Sequence, residues 1–527
     1  PVLVAAEGRV HRRAGLTVIV IALIAVAGLL LWRHSQADYD PLAAATAAAR
    51  QRIVNVEARV PPQCYTQTNG VSNPCWICHT PSNGRNLSDD WQLQERYRFT
   101  ALAAENHWTN LFVDRRPAIA GMADDRMLAY VRQDNYTPLR AVMARQDDFP
   151  GWRPDLDFRQ GFDAQGFARD GSGWRAYRYK PFPGTFWPTN GSTDDVMIRL
   201  PAVFRSDARG QPSQAVYKAN LAIVEAAVAV PDTVTDAALR RRIEPVDEAA
   251  AGIDLDGDGH IGGVVEQLHG LPAHYAGAAS GITVTRYSYP AGTEFLHTVR
   301  YLDPDAPEQA ATRMKEVRYA VKRVALSDID LHSHYAEETR EGDTGGRPHY
   351  SGSAFTGQTN IFGWTYQGYI EDARGRLRLQ TREEQLYCMG CHTGLGVTVD
   401  QSFSLPRKPP GAVGWGQQSL VGMPDVPQAG SGEPEYLRYL RRVGGGDEFR
   451  ANGEMLAHFF SGGTLDEAAV RRASAHGILG LIEPSRERAL ALDKAYLLIV
   501  REQSYTHGRD ASPQPADGGS RAQRPPG

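Results

Sequence analysis

Two copies of one short pattern stand far apart in this sequence, as Asn73-Pro-Cys-Trp-Ile-Cys-His-Thr80 and Leu386-Tyr-Cys-Met-Gly-Cys-His-Thr393. Together they use all but one of the chain's 5 cysteines. Two cysteines in this spacing can each form a thioether with a vinyl group of haem, while the following histidine binds the iron. The repeated Cys-x-x-Cys-His pattern therefore predicts two covalently bound c-type haems.

The residues predicted to hold the two haems are Cys75, Cys78 and His79 in the first motif and Cys388, Cys391 and His392 in the second. Two other uses of the pattern stay open. A Cys-x-x-Cys pair also serves zinc sites, although such a pair need not be followed by histidine each time. Thioredoxin-type redox motifs share the spacing too, but they expect a βαβ pattern that neither motif has around it.

Length and composition indicate a globular protein of several domains. The chain has 527 residues, of which 42% are hydrophobic and 22% charged. Single hydrophobic cores stop growing well below this length, so two to four domains are expected. The net charge of -4 gives no basic field, which disfavours nucleic acid as a partner.

The N-terminal region contains a segment suited to crossing a bilayer. Residues Gly15 to Trp32 carry no charge, and Arg9, Arg12 and Arg13 precede them. The positive-inside rule then places the N-terminus in the cytoplasm and the bulk of the chain outside, held by a membrane anchor. The alternative is a cleaved signal peptide with Ser35-Gln-Ala37 as its cleavage site, which gives a soluble periplasmic protein.

The remaining chain is predicted to be a multidomain α+β protein. Mainly helical haem domains are expected at both ends of a larger strand-rich middle region, because runs such as Phe295 to Tyr301 alternate with the period of a strand. The predicted parts are a cytoplasmic N-terminus (1–14), a membrane anchor or signal segment (15–32), a linker (33–59), a first haem domain (60–136), the middle region (137–380), a second haem domain (381–509) and a disordered tail (510–527).

Each predicted haem iron has one further axial position. Met122 precedes a predicted helix and is the candidate for the first haem, and Met423, in a Met-Pro loop, is the candidate for the second. The histidine alternatives are His107 and His297. On a strand, the neighbours of His297 point to the opposite face, so its imidazole can point at an iron that folding brings near.

An acidic loop predicts a bound calcium ion. Asp254, Asp256 and Asp258 occupy positions one, three and five of an EF-hand-like loop spanning 254–266, and glycine stands at position six. Position twelve departs from the pattern because Val265 stands where a bidentate glutamate is usual. We therefore expect a structural site with a rearranged ligand set.

Because it has two Cys-x-x-Cys-His motifs, the chain resembles a bacterial periplasmic di-haem c-type cytochrome, with haem domains like those of class I cytochromes c. The resemblance implies haem attachment outside the inner membrane and transfer of electrons between periplasmic redox partner proteins. The alternative that it allows is a di-haem redox enzyme, peroxidase-like or oxygenase-like, in which one haem reacts with peroxide or dioxygen.

Overall fold

The structure is a computed structural model. It describes residues 39–50, 52–65, 77–82, 85–87, 105–181, 183, 188–229, 235–344, 348–427, 431–443 and 452–515. The predicted N-terminus (1–14), the membrane or signal segment (15–32) and Cys75 lie outside these ranges. Within them, no helix is long and apolar enough to span a bilayer.

A large antiparallel sheet organises the fold. Its strands run in the order β1-β2-β5-β6-β9-β8-β7, and β10 also pairs with β9. The long central strands lie in the runs whose residues alternate with the period of a strand. Valine, isoleucine and tyrosine are common in them because these side chains fit a pleated, half-buried surface. The strands are β1 (Arg175–Tyr177), β2 (Thr193–Arg199), β3 (Arg240–Asp247), β4 (Val264–His269), β5 (Glu294–Leu302), β6 (Ala310–Lys322), β7 (Ser351–Ser353), β8 (Gly357–Thr359), β9 (Trp364–Glu371), β10 (Leu377–Leu379), β11 (Phe460–Ser461) and β12 (Thr464–Leu465).

Helices cover the sheet and form a smaller layer near the C-terminal end of the chain. A largely buried helix, Gln214–Ala227, is capped by Ser213, whose hydroxyl accepts from the Val216 amide. The helices are α1 (Pro41–Ala48), α2 (Arg116–Ala120), α3 (Asp124–Val131), α4 (Tyr136–Met143), α5 (Gln214–Ala227), α6 (Glu248–Ala251), α7 (Asp328–Thr344), α8 (Arg382–Met389), α9 (Glu435–Val443), α10 (Gly453–Phe459), α11 (Glu467–Ala473), α12 (Leu479–Ile482) and α13 (Arg486–Glu502).

The prediction of mainly helical haem domains at both ends of the chain is wrong. Helix α3, expected to close a first haem domain, instead buries Met127 and Val131 in a cluster with Ile370 of β9 and Tyr496 of α13. The apolar faces of both ends therefore pack against the sheet and each other. The hydrophobic period and helix propensity of these segments do not reveal this packing, because an apolar helix face can pack equally well on a haem or on a sheet.

The register of the sheet sets up a row of residues on one of its faces. Val196 of β2 pairs with His297 of β5, His297 pairs with Arg318 of β6, and Arg318 pairs with Gly368 of β9. Because side chains alternate along strands, these residues share a face, and their strand neighbours, such as Leu296, point to the other. That second face is filled by a hydrophobic cluster. The first face, which carries Val196, His297 and Arg318, instead borders a cavity.

Candidate cofactor cavity

The second Cys-x-x-Cys-His motif begins at the end of helix α8. Thr381 and Glu384 form a capping box at the start of this helix. Arg378 of β10 binds both oxygens of Glu384, at 2.8 Å each, and both side chains are buried. Because a bidentate arginine fixes orientation as well as distance, the helix is tied to the sheet, and Cys388 is presented at a defined place above it.

A cavity separates this motif from the sheet. Its volume is about 1380 Å³, including the space that opens to solvent. Cys388, Cys391 and His392 line it together with His297 and Arg318 of the strand row. Ligand pockets are usually concave and lined largely by apolar and aromatic side chains, and this lining includes Phe295, Trp364 and Tyr366.

The environment of His392 fixes which ring nitrogen faces the cavity. Its Nδ1 lies 2.8 Å from the carbonyl oxygen of Gln401, which can only accept, so Nδ1 carries the hydrogen. The ring packs against Tyr366 at 4.7 Å and stacks on Phe403 at 5.5 Å between centroids. Burial lowers the pKa of His392 to about 4. The imidazole is therefore neutral, and Nε2 keeps the lone pair that a metal ligand needs.

Both thiols of the second motif are buried. Burial raises the pKa of Cys388 above its ordinary value and the pKa of Cys391 to about 12. Zinc binds thiolates, so a zinc ion here would need two charged sulfurs in this cavity. A thioether is uncharged, which fits the surroundings better than a thiolate pair.

Also in the cavity lining, His297 is held by an acidic partner. Its Nε2 lies 2.8 Å from Oδ2 of Asp194, and the hydroxyl of Tyr179 donates to the same oxygen. The structure thus places His297 in one cavity with the second motif. Whether it binds a metal stays a prediction.

A charged cluster lines one edge of the cavity. Glu316 accepts from Arg318 Nε at 3.0 Å and from an Arg509 guanidinium nitrogen at 2.7 Å. Burial opposes ionisation of Glu316, but the two arginines outweigh it and lower its pKa to about 2. Asp510 and Lys315 complete the charged lining. No local pattern points to Arg509 as part of a cavity, because it stands where the chain becomes rich in proline and glycine.

The first motif lies beside the second, in the part that the structure describes. The carbonyl oxygen of Cys78 accepts from the Val397 amide at 3.1 Å. Ile77 shares a hydrophobic cluster with Met423, which the sequence assigned to the second haem. Met122, assigned to the first haem, packs against a different cluster.

His79 and His107, the other two histidine candidates, are also placed. His79 follows Cys78 directly and is half-buried. The backbone of His107 interacts with His507, near the end of the described chain. The metal roles of both histidines stay predictions.

The acidic loop is compact, and it includes a residue that the pattern missed. Glu248 of α6, Asp254 and Asp256 offer oxygen atoms that all lie within 4.8 Å of one another. Asp258 caps the loop instead, accepting from the His260 amide at 2.7 Å. The spacing of the loop does not reveal Glu248, because this residue precedes the loop and comes close to it only through the turn after α6.

Calcium at this loop stays a prediction with a direct test. A ligand that binds only the folded chain stabilises it by mass action, so EGTA should lower the melting temperature by several degrees. Asp256→Ala should abolish this response. Asp207→Ala is the matched control, because Asp207 also caps a turn, accepting from Arg209 and Gln211 amides at 2.8 and 2.9 Å. An unchanged melt of the wild-type chain in EGTA would show that the loop is an ordinary turn.

Comparison with known proteins identifies the family. A family model described as a "-like lipoprotein" matches residues 48–474. A protein of Aquifex aeolicus (strain VF5), named "uncharacterized lipoprotein", is 31% identical over 521 residues, covering 86% of each chain. No solved structure matches. The class is thus an envelope protein built on an antiparallel sheet, and the chain belongs to this lipoprotein family.

This finding overturns the identification as a di-haem cytochrome c. The family match extends over most of the chain, whereas the resemblance rested on two five-residue motifs. Such motifs are specific for a cofactor and carry no information about the surrounding fold or reaction. Neither the electron carrier with its redox partners nor the peroxidase-like or oxygenase-like alternative has support from the family. The coarser prediction of an exported protein agrees with a lipoprotein of the cell envelope.

Proposed function

We propose that this lipoprotein-family member is a haem-binding protein of the cell envelope, with haem attached through Cys388 and Cys391 in the cavity above the sheet. The observation that carries the proposal is the position of His392. Its Nδ1 is committed to the Gln401 carbonyl, which leaves Nε2 for a metal, and His392 lines the same cavity as the two thiols. Bound haem would supply an iron centre and a large conjugated ring.

The cavity lining fits a flat, largely apolar group with a charged end. Tyr366, Phe403, Phe295 and Trp364 provide aromatic surface around the space. Such side chains bury a large apolar area and pack well against flat rings. A haem also carries two carboxylates, and arginine is the side chain best suited to bind them, so the charged edge with Arg318 is their proposed place.

Further ligands are proposed from the placements above. His297 lines the same cavity as His392, and its contact with Asp194 holds the ring in one orientation. A carboxylate bound to one ring nitrogen orients a metal-binding histidine and raises the basicity of its other nitrogen. Met423 is the candidate for the first motif rather than the second, because it shares a cluster with Ile77.

For export, we propose that residues 15–32 act as a signal segment that is removed when the chain reaches the cell envelope. Lipoprotein relatives favour this arrangement over a retained helix. The mature protein isolated from cells should therefore begin after residue 32, as N-terminal sequencing or intact mass would show. A mature chain that still contains residues 15–32 would contradict the proposal.

The test of haem attachment is a mass measurement on the full chain expressed with a c-type haem maturation system. The denatured wild-type chain should carry one haem on the peptide that contains the second motif. Cys388→Ser together with Cys391→Ser should remove it completely, because each thioether needs its own sulfur. Cys64→Ser and His297→Ala are controls that should keep the attached haem, since neither forms a thioether in this proposal.

The contrary outcome is equally clear. A wild-type peptide of unmodified mass, with zinc bound to the folded chain, would replace the haem proposal by the zinc use of the motif. Unmodified mass without a metal would leave an empty dithiol motif and end the proposal.

A further inference from the structure

The loop that contacts His392 turns back on itself in a strained backbone conformation. Val399 and Ser402 exchange both of their backbone hydrogen bonds, at 2.7 and 3.1 Å. Asp400 and Gln401 between them therefore form a two-residue hairpin turn, and both have positive φ, 49° and 58°. Turns of this kind favour glycine, asparagine and aspartate, and glutamine adopts a positive φ only at a cost. Contacts from outside the turn are needed to hold it in this form.

The carboxylate of Asp400 makes two such contacts. Its Oδ1 pairs with the ammonium group of Lys322, the last residue of β6. Its Oδ2 accepts from the Tyr289 amide at 2.8 Å, in the segment before β5. The side chains of Lys322 and Asp400 are 1% and 7% exposed. Because buried charges are costly without partners and charge-assisted hydrogen bonds are strong, these contacts tie the turn to the sheet.

The carbonyl group at the end of this turn orients the imidazole of His392. The Gln401 carbonyl oxygen lies 2.8 Å from His392 Nδ1, and Asp400 directly precedes Gln401 in the chain. The Gln401 side chain is held as well, since its amide donates to the Tyr335 hydroxyl of α7 at 3.1 Å. A rotation of the backbone at Asp400 would therefore turn the carbonyl away from the ring.

From these contacts we infer that Lys322 is a positioning residue for His392. Through Asp400, it keeps the Gln401 carbonyl against Nδ1, so the hydrogen of the neutral ring stays on that nitrogen and Nε2 is left for a metal. This role rests on the proposed haem attachment and adds to it a residue that prepares the site. A hydrogen bond at Nδ1 also raises the basicity of Nε2, which favours ferric over ferrous iron when haem is bound.

The test is the tautomer of His392 in the full chain made without haem, read by nitrogen NMR with isotope-labelled histidine. The His392 signals are those missing from His392→Gln. The wild-type chain should show the Nδ1–H form alone. Lys322→Met/Asp400→Ala, which removes both charges and strands neither, should lose this single form and show a mixture with Nε2–H. Lys322→Gln, a milder change, should give a smaller share of Nε2–H and serves if the double variant does not fold.

A rescue variant separates the turn from its charges. Lys322→Met/Asp400→Asn/Gln401→Gly should restore the single Nδ1–H form, because Asn-Gly adopts this turn unaided. A rescue variant that stays mixed would show that the ion pair does not act through the turn and would overturn the proposed role. Lys408→Met is the matched control, since Lys408 forms a comparable buried pair with Glu225 at 2.8 Å. It should keep the Nδ1–H form even if its stability falls.

The haem-loaded full chain gives a second readout. Its midpoint potential should be higher in Lys322→Met/Asp400→Ala than in the wild-type chain and in Lys408→Met, because His392 becomes a weaker donor to iron. A single Nδ1–H form in every Lys322 variant would overturn the positioning role and leave haem attachment intact. Mixed tautomers in Lys408→Met would overturn it too, since any loss of a buried pair would then suffice. A wild-type chain without haem at the second motif would overturn the proposed function, whereas the tautomers would still decide whether Lys322 positions the ring.

Discussion

Replacing Arg313 with alanine is expected to lower the free energy of unfolding by about 3–5 kcal/mol, because it strands a buried carboxylate. Glu371 is completely buried in β9. It accepts from Arg313 Nε at 2.6 Å and from the Tyr130 hydroxyl at 2.8 Å. Burial raises the pKa of Glu371, and Arg313 partly offsets this. Without the guanidinium, the carboxyl must take up a proton or stay charged in an apolar surrounding, and both are costly.

Urea denaturation at neutral pH measures this effect. Arg153→Ala is the control, since Arg153 pairs with Asp147 at 2.8 Å on the surface, where their side chains are 40% and 87% exposed. Exposed pairs contribute about 0–1 kcal/mol, so the control should differ little from the wild-type chain. A loss below about 1 kcal/mol for Arg313→Ala would mean that water reaches Glu371 and that the buried network is incorrectly described.

Replacing Asp493 with asparagine is expected to remove a large part of the pH dependence of stability between about pH 4 and pH 8. Asp493 of α13 is fully buried, and its Oδ1 accepts from the Leu302 amide at 3.2 Å. Burial raises its pKa to about 8, although the nearby Lys315 opposes the shift. An unfolded aspartate has a pKa near 3.9, so between these values the unfolded chain binds fewer protons than the folded one.

The sign follows from that difference. With fewer protons on the unfolded chain, stability falls as pH rises through this window, and the contribution of Asp493 is fully present only below about pH 4. Asparagine cannot titrate, so the variant should show a flatter profile of unfolding free energy against pH. Asp147→Asn, at an exposed position, should follow the wild-type profile. An identical slope in Asp493→Asn would show that this carboxylate is ionised in the folded chain throughout the window.

Structural features that depend on neighbouring residues could be predicted from the sequence, whereas features that depend on contacts between distant segments could not. Strands β5 and β6 were visible because alternation is a local signal. The attachment of α8 through Arg378, the position of Arg509 in the cavity and the contribution of Glu248 to the acidic loop were not visible. Each of them is a contact between segments that only the complete fold brings together.

The two motifs illustrate the same limit in functional terms. Their spacing predicts thioether chemistry wherever they lie, and it carries no information on whether they lie close together in the fold. Gly390 and Gly396 permit close backbone approach, since an added Cβ would stand 2.1 Å from the Arg59 carbonyl oxygen and 2.0 Å from that of Thr80, respectively. In a single sequence, such a glycine cannot be told from one that serves a turn. The expected separation into two end domains therefore had no local signal against it.

The position of Arg509, Asp510 and Ala511 in the cavity lining bears on the order of assembly in the cell. These residues follow the second motif by a long stretch of chain, including α13, and so they leave the ribosome and cross the membrane after it. If haem is attached to Cys388 and Cys391 as proposed, it would have to enter the cavity before this last segment docks. The docked segment would then cover the bound group on the side lined by Arg509 and Asp510.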